Sequence, residues 1–197
     1  MTSVTASASR RTEAKVKKIP TLYMRDSEDL RYVDVTRVNP VAQWVIDGEG
    51  VPTRKYDGTC MMLDKTGYWW ARREVKPGKV VPPNYRPIET DPTTGKAVGW
   101  EPVHQSAFAR FVVEALTNWP RTWQPGTYEL IGPKVNGNPE GVTHHHLIPH
   151  DEAEVLQGVV PHPAALAVWL NHHSFEGIVW HHPDGRMAKI KRRDLIA

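Results

Sequence analysis

The run Lys55-Tyr56-Asp57-Gly58 combines a lysine, an acid and a glycine in a way that suits covalent catalysis. A lysine attacks as its neutral amine, whereas an exposed lysine, with a pKa of about 10.4, is almost wholly protonated at neutral pH. Burial in a pocket, a bound metal ion or nearby cations would depress that pKa. The candidate cations are Arg54, Lys189 and Lys191. Asp57 is placed to hold or orient the amine, and Gly58 permits a tight backbone path against a nucleotide.

Taken alone, a Lys-x-Asp-Gly run also fits an ordinary polar turn, because residue frequencies place one in about every twentieth chain of this length. Three later segments carry groups that would complete a site. They are Tyr128-Glu129-Leu130-Ile131-Gly132, Glu176-Gly177-Ile178-Val179 and Lys189-Ile190-Lys191. Each could be a surface carboxylate or a solvated strand edge. Their joint placement at strand ends that face one cleft favours function.

In this order, the four segments resemble the collinear motifs of the covalent nucleotidyltransferases, which comprise ATP-dependent DNA ligases, RNA ligases and mRNA capping enzymes. The resemblance spans about residues 51 to 193. It implies an α+β nucleotidyltransferase, or adenylation, domain in which two antiparallel sheets flank a nucleotide cleft and helices lie at the periphery. It also implies ATP as cosubstrate and Mg²⁺, or Mn²⁺, as cofactor.

The resemblance assigns a role to each matching residue. Lys55 would be the catalytic nucleophile that attacks the α-phosphorus of ATP, and Glu129 would hydrogen-bond the ribose. Glu176 would hold the divalent metal directly or through water. Lys189 and Lys191 would bind the phosphates and stabilise charge on the transferring group.

The base side of the implied ATP site is less complete. Thr53 stands where family members often contact the adenine, and Arg54 is placed to touch ribose or phosphate. Many DNA ligases carry an arginine two residues after the motif glycine, where this chain has Cys60. Arg72 or Arg73 would replace it, and because neighbours on a strand face opposite ways, one of the two enters the pocket. We favour Arg72.

The length of the chain bears on which branch of the family it resembles. The chain ends six residues after Lys191, which leaves no room for the OB-fold domain of capping enzymes and DNA ligases. The loop at 132–141 also resembles that of a group of small RNA ligases. We therefore expect an RNA ligase that joins 5′-phosphate and 3′-hydroxyl RNA ends through lysyl-AMP. A guanylyltransferase, a DNA ligase, a protein AMP-transferase and a binding module for RNA ends or nucleotides remain alternatives.

Composition predicts one domain at 19–197, since 197 residues with 40% hydrophobic content suffice for a single core. Residues 1–18 are rich in Ser, Thr, Ala and basic side chains without apolar periodicity, which predicts a disordered basic tail. No apolar run could cross a bilayer, and no secretory signal is present. We expect a soluble, cytoplasmic monomer that acts on RNA ends, with a partner protein as a possible aid to docking.

Apolar patterning predicts the elements that would position these groups. Strands are expected at 32–35, 44–46, 60–63, 68–73, 127–131, 176–180 and 187–191. Helices are expected at 104–119 and 163–171. Prolines recur between 77 and 102, which predicts an irregular excursion on the surface.

Histidines and tryptophans are abundant enough to need an interpretation. The runs His144-His145-His146, His172-His173 and His181-His182 lack cysteine partners and standard zinc spacings, so structural or RNA-contacting roles are favoured. Most tryptophans are expected in the core. Trp69 or Trp70, beside the two arginines, could instead stack on a base.

Overall fold

The computed structural model describes residues 18–92 and 94–195. The predicted disordered tail therefore lies, apart from Lys18, outside the described residues. The strands are β1 Tyr23–Arg25, β2 Val33–Val38, β3 Val51–Lys55, β4 Thr59–Leu63, β5 Trp69–Val75, β6 Arg86–Thr90, β7 Ala97–Pro102, β8 Gly126–Ile131, β9 His146–Pro149, β10 Gly177–His181 and β11 Met187–Lys191. The α-helices are α1 Gln43–Ile46, α2 Ala109–Asn118 and α3 Pro163–Asn171.

Two antiparallel sheets dominate the fold. The larger has the strand order β6-β7-β5-β4-β8-β9, and the smaller has the order β11-β10-β3. Strands β1 and β2 form a separate antiparallel pair. The expected α+β architecture with antiparallel sheets is confirmed. None of the helices formed by the described residues is long and apolar enough to cross a membrane.

Each sheet has its own hydrophobic core. One face of the larger sheet packs against α2, whose Phe111, Val112 and Ala115 recur at helical spacing and are buried. The smaller sheet packs against α1 and α3, and Leu166 and Leu170 of α3 are fully buried there. Burying an aliphatic side chain of this size contributes about 1.5–3 kcal/mol, so these contacts hold each helix on its sheet.

The segment Trp44-Val45-Ile46 was predicted as a strand, and this prediction is wrong. These residues form most of α1. A capped 3-10 turn, Pro40–Ala42, leads directly into them: the Asn39 side chain accepts a hydrogen bond from the Val41 amide, and Pro40 is the first residue of this turn. Three consecutive apolar residues fit a buried strand and a buried helical turn equally well.

The prediction of an irregular excursion at 77–102 is wrong for its second half. Strands β6 and β7 form one end of the larger sheet, and Trp100 of β7 is buried. The prolines are accommodated at positions that cost little hydrogen bonding: Pro87 lies on the edge strand beside a register shift, and Pro102 is the last residue of β7. Residues 77–85 do lack regular structure.

Most other predicted elements are close to the observed ones. Helix α3 and strand β11 match residue for residue. The helix predicted at 104–119 is shorter, because the chain first forms a 3-10 turn at Val103–Gln105. The Ser106 hydroxyl then accepts a hydrogen bond from the Phe108 amide at 3.2 Å, just before α2 begins.

Candidate active site

The smaller sheet brings three of the predicted motif segments to one place. Lys55 ends β3 and lies opposite Gly177 on β10, and Lys191 of β11 lies opposite Gly177 on its other side. A Cβ atom on Gly177 would collide with the Ile190 carbonyl oxygen, so the strands approach this closely because the residue is glycine. Glu176, one residue earlier, is thereby placed between the two lysine side chains.

Glu176 forms ion pairs with both lysines. One carboxylate oxygen accepts a hydrogen bond from Lys55 Nζ and the other from Lys191 Nζ. The Glu176 side chain is 11% exposed. Burial opposes its ionisation, but the charges of Lys55 and Lys191 outweigh burial and lower the pKa of Glu176. The centre of the site is therefore a buried carboxylate held between two ammonium groups.

The expectation that the pKa of Lys55 is depressed is wrong for this arrangement. Burial of the amine favours its neutral form, but the carboxylates of Glu176, Glu129 and Asp57 outweigh burial and raise the pKa. The nearest charged partner of Lys55 is an acid, not one of the cations that the sequence suggested. To act as a nucleophile, Lys55 must first leave this ion pair and lose a proton.

Lys189 is the lysine with a depressed pKa. Burial, followed by the charges of Lys191 and Lys55, lowers the pKa of Lys189 to about 8. Its neighbours on β11, Ala188 and Ile190, point into the core, so alternation along the strand puts Lys189 and Lys191 on the opposite face. Gly177 is paired with both Lys55 and Lys191, so all three motif lysines lie on this face of the smaller sheet.

Glu129 lies on β8 opposite Cys60 of β4, in the larger sheet. One of its oxygens accepts a hydrogen bond from the Gly58 amide at 3.1 Å, and the other lies 3.0 Å from His150 Nε2. A Cβ atom on Gly58 would collide with the Leu130 carbonyl oxygen, so the tight backbone path at this glycine runs against β8. Gly58 thus lets the segment 55–58 lie close to Glu129.

Strand alternation separates the two candidate arginines. Arg72 lies over the Trp100 ring, with its guanidinium carbon 5.7 Å from the ring centre. Its charge also acts on the Cys60 thiol, whose pKa is raised by burial and by Glu129 and lowered in part by Arg72. Arg73 is exposed. The structure therefore places Arg72, and not Arg73, beside Cys60 and Glu129.

Thr53 is buried between the sheets. Its hydroxyl donates a hydrogen bond to the Val179 carbonyl at 3.1 Å and lies 3.1 Å from His181 Nε2. The His181 side chain in turn reaches the cavity described below. Thr53 is thus bonded to β10, and its contact with adenine stays a prediction.

Arg54 forms an ion pair with the loop at 132–141. Its guanidinium pairs with Glu140 and lies between the rings of Tyr56 and Phe175, with its central carbon 4.5 and 4.1 Å from the ring centres. The Glu140 side chain, 4% exposed, also accepts a hydrogen bond from the Asp57 amide at 2.8 Å. Arg54 is therefore linked through Glu140 to the segment 55–58, and its contact with ribose or phosphate stays a prediction.

A second residue of the same loop, Asn136, also forms hydrogen bonds with the segment 55–58. Asn136 donates hydrogen bonds to the Asp57 carboxylate at 3.0 Å and to the Gly58 carbonyl at 2.8 Å. Asn136 adopts a left-handed backbone conformation, with φ of 49°, that asparagine tolerates better than most residues. Sequence reasoning treated this loop as a family resemblance and missed both Glu140 and Asn136 as positioning residues.

Replacing Glu140 with glutamine is expected to destabilise the protein by about 2 kcal/mol. The change keeps the shape but leaves Arg54 partly buried without its main counter-charge, and breaking a fully buried pair costs roughly 3–5 kcal/mol. Glu154, 3.5 Å from Arg54 and 52% exposed, provides the matched control. Glu154→Gln should cost less than about 1 kcal/mol in urea denaturation. Equal losses for both variants would show that Glu140 is not the anchor.

A cavity of about 610 Å³ lies between the two sheets. The larger sheet contributes Met62, Trp100 and Thr127, and the smaller sheet contributes His181 and Met187. The volume falls in the range of small-molecule sites, roughly 300–1,000 Å³. His150 lines the cavity and contacts Glu129, so the cavity adjoins the group of motif residues.

Part of the chain is similar to known RNA ligases. A family model described as RNA ligase 1 matches residues 115–196. The resemblance to RNA ligases is confirmed over this segment. A zebrafish (Danio rerio) protein named RNA ligase 1 is 36% identical over 77 residues, which cover 35% of this chain and 24% of the zebrafish protein. The match thus spans about a quarter of that relative's length.

The segment that matches the RNA ligase model contains part of the site. It includes Glu129, Glu176, Lys189 and Lys191, whereas Lys55 lies before it. The structure closes this gap, because Lys55 contacts Glu176 directly. Lys55, the candidate nucleophile, is therefore in contact with a residue of the segment that matches the RNA ligase model.

The histidine runs have mainly structural partners. His145 is buried, stacks on Phe111 and bonds the Glu114 carboxylate at 2.8 Å. His172 and His173 bond backbone carbonyls of α3. Among the residues that the structure describes, none of the three runs contributes to a group of three close metal-ligating side chains.

Both tryptophans considered for base stacking are engaged in packing. Trp70 is buried and is covered by the Arg86 guanidinium, whose central carbon is 3.7 Å from the ring centre. Trp69 packs against Trp123 and Tyr128. These contacts favour the alternative interpretation of both residues as core.

Proposed function

We propose that the chain is an ATP-dependent RNA ligase. Lys55 Nζ attacks the α-phosphorus of ATP, a lysyl-AMP bond forms, and pyrophosphate leaves. An RNA 5′-phosphate then takes the AMP and frees Lys55, and an RNA 3′-hydroxyl displaces the AMP to form the phosphodiester bond. The observation that carries the proposal is the contact of Lys55 with Glu176, a residue inside the segment similar to RNA ligases.

The geometry supports separate roles for the residues of the proposed ATP site. The cavity would hold the adenosine, with Glu129 on the ribose and Thr53 and His181 at the base. Lys189 and Lys191 share one face of the smaller sheet and would bind the phosphates. These two lysines concentrate positive charge where a polyphosphate gains negative charge in the transition state.

The residues around Lys55 also fit a divalent metal ion. Carboxylate oxygens are the donors that Mg²⁺ and Mn²⁺ prefer, and Glu176 offers two of them at the α-phosphate end of the site. A bound ion would neutralise phosphate charge and favour departure of pyrophosphate. In the structure both Glu176 oxygens accept hydrogen bonds from lysines, one from Lys55 and the other from Lys191. Release of Glu176 to a metal and deprotonation of Lys55 would therefore accompany each other.

Nucleotide affinity is expected to fall as the pH rises through about 8. Below that value Lys189 is charged, and above it the amine is largely neutral because burial lowers its pKa to about 8. A phosphate favours the charged form, so binding at higher pH requires proton uptake and weakens by up to about tenfold per pH unit. Titration with a non-hydrolysable ATP analogue measures this slope.

The matched variant for this prediction is Lys189→Arg. A guanidinium stays charged across the whole range, so the slope above pH 8 should flatten. The same slope in Lys189→Arg and in the unaltered protein would assign the pH dependence to another group.

Labelling with nucleotide and a joining assay test the proposed function together. The protein should become covalently labelled from α-labelled ATP with Mg²⁺, and should join RNA strands that carry 5′-phosphate and 3′-hydroxyl ends more efficiently than matched DNA strands. Label from GTP in place of ATP would indicate a guanylyltransferase. AMP found on other proteins, with no joining, would indicate a protein AMP-transferase, and ATP binding without any label would indicate a binding module.

A further inference from the structure

A group of three potential metal ligands lies beside the proposed ribose position. The Cys60 sulfur, a Glu129 oxygen and a His150 ring nitrogen all lie within 4.8 Å of one another. These are the atoms that bind zinc in proteins: thiolate, carboxylate and imidazole. The three residues come from β4, β8 and the 3-10 turn after β9, so the register of the larger sheet brings them together.

His150 is held as a metal-ligating histidine usually is. Its Nδ1 atom lies 2.9 Å from the Thr127 hydroxyl, which leaves Nε2 directed at Glu129. A second partner on the other ring nitrogen fixes the orientation of a ligating imidazole. A hydroxyl can donate to Nδ1 or accept from it, so His150 can present Nε2 either as a donor to Glu129 or as a lone pair to a cation.

Distance and charge both suit a small, soft divalent cation. Ligand atoms around tetrahedral zinc are about 3.3–3.8 Å apart. The Glu129 oxygen and His150 Nε2, which are 3.0 Å apart, would separate slightly, and side-chain rotation would bring in the Cys60 sulfur, which lies within 4.8 Å of both. Cys60 would release its proton to solvent on binding. The thiolate, the Glu129 carboxylate and the dication then sum to zero charge, which lowers the cost of placing them in a largely buried position. Sulfur and nitrogen donors favour Zn²⁺ or Co²⁺ over Mg²⁺.

We propose that Cys60, Glu129 and His150 bind one soft divalent cation of the zinc type, with water as the fourth ligand. A further consequence rests on the proposed function: Glu129 cannot hold this cation and a ribose hydroxyl at once. The cation would therefore keep adenosine out of the cavity and inhibit formation of lysyl-AMP. This site differs in ligands and in preferred metal from the one proposed at Glu176.

Cobalt titration tests the site directly, because a cobalt–thiolate bond gives a near-ultraviolet charge-transfer band. The protein should show this band and saturate at one Co²⁺ per chain. Cys60→Ser should lose the band, and His150→Gln should weaken Co²⁺ binding at least tenfold while leaving Cys60 in place. His172→Gln, at an exposed position directly after α3, is the matched control and should bind like the unaltered protein. Thermal melting of each variant checks that it is folded.

Absence of the band in the folded, unaltered protein would overturn the proposal, as would a band that His150→Gln leaves unchanged. Competition tests the consequence for nucleotide binding. Adenosine lacks the phosphates that would chelate cobalt, and it should displace Co²⁺ and abolish the band. A band that persists at saturating adenosine would contradict mutual exclusion. A cobalt band in a protein that takes no label from ATP would leave the metal site standing and would refute the proposed ligase activity instead.

Discussion

Lys55→Arg is expected to abolish joining of RNA that begins with a 5′-phosphate, while sealing of pre-adenylated RNA remains measurable. A guanidinium stays protonated at any accessible pH and cannot form the bond to the α-phosphorus. Pre-adenylated RNA already carries the AMP leaving group, so its sealing bypasses that bond. The two substrates, assayed side by side, separate loss of the nucleophile from general damage to the site.

The choice of arginine keeps the charge balance around Glu176. An alanine would leave Glu176 with Lys191 alone, whereas arginine preserves a positive charge beside each carboxylate oxygen. The matched control is Lys79→Arg, at an exposed position outside the four motif segments. It should join both substrates at the normal rate. Unimpaired joining of 5′-phosphate RNA by Lys55→Arg would exclude Lys55 as the nucleophile.

Glu176→Gln is expected to slow formation of lysyl-AMP on the order of 100-fold or more, the usual scale for loss of one electrostatic group at a reacting centre. Two effects oppose each other. Removing the carboxylate lowers the pKa of Lys55, which favours the neutral amine, but it also removes the proposed metal ligand. We expect the second effect to dominate, because a neutral amide binds Mg²⁺ far more weakly than a carboxylate.

The Mg²⁺ dependence distinguishes these two effects. Adenylation by Glu176→Gln should need a much higher Mg²⁺ concentration to reach half of its maximum. Glu74→Gln, which alters an exposed ion pair with Lys96, should leave both the rate and the Mg²⁺ dependence unchanged. If Glu176→Gln reacts slowly with a normal Mg²⁺ dependence, Glu176 is not the metal ligand and acts on Lys55 alone.

The motif segments could be predicted from the sequence because their spacing along the chain is itself the signal. The hairpin that follows Lys55 and the final hairpin that carries Lys189 and Lys191 also have strong local signals, since each combines apolar strands with a polar turn. Because neighbouring residues on a strand point to opposite faces, the sequence also limited the expected nucleotide-binding arginine to either Arg72 or Arg73. In the structure Arg72 lies over the Trp100 ring and acts on the Cys60 thiol, whereas Arg73 is exposed.

The partners of these residues could not be predicted, since they depend on contacts between distant segments. Arg54 and Glu140 are 86 residues apart, and His150 meets Glu129 through a strand, β9, that the sequence did not reveal. The sign of the pKa shift at Lys55 was wrong for the same reason. Nearby cations were visible in the sequence, but the distance that makes Glu176 the dominant partner exists only in the folded chain.

Two local errors have a common physical cause. Trp44 to Ile46 and the segment at 86–102 were both assigned from composition, and tertiary packing decided otherwise. An apolar triplet becomes helical when a capped 3-10 turn leads directly into it, and prolines are accepted in a sheet at an edge or at a strand end. Neither condition can be read from the triplet or from the proline count.

Mass spectrometry of the protein after incubation with ATP and Mg²⁺ tests directly whether Lys55 carries the AMP. We expect a single AMP on the peptide that contains Lys55, attached through an acid-labile phosphoramidate bond and released as ATP by added pyrophosphate. The adduct should be absent from Lys55→Arg. An AMP on another residue, or active RNA joining with no adduct on the protein, would exclude lysyl-AMP at Lys55 as the intermediate.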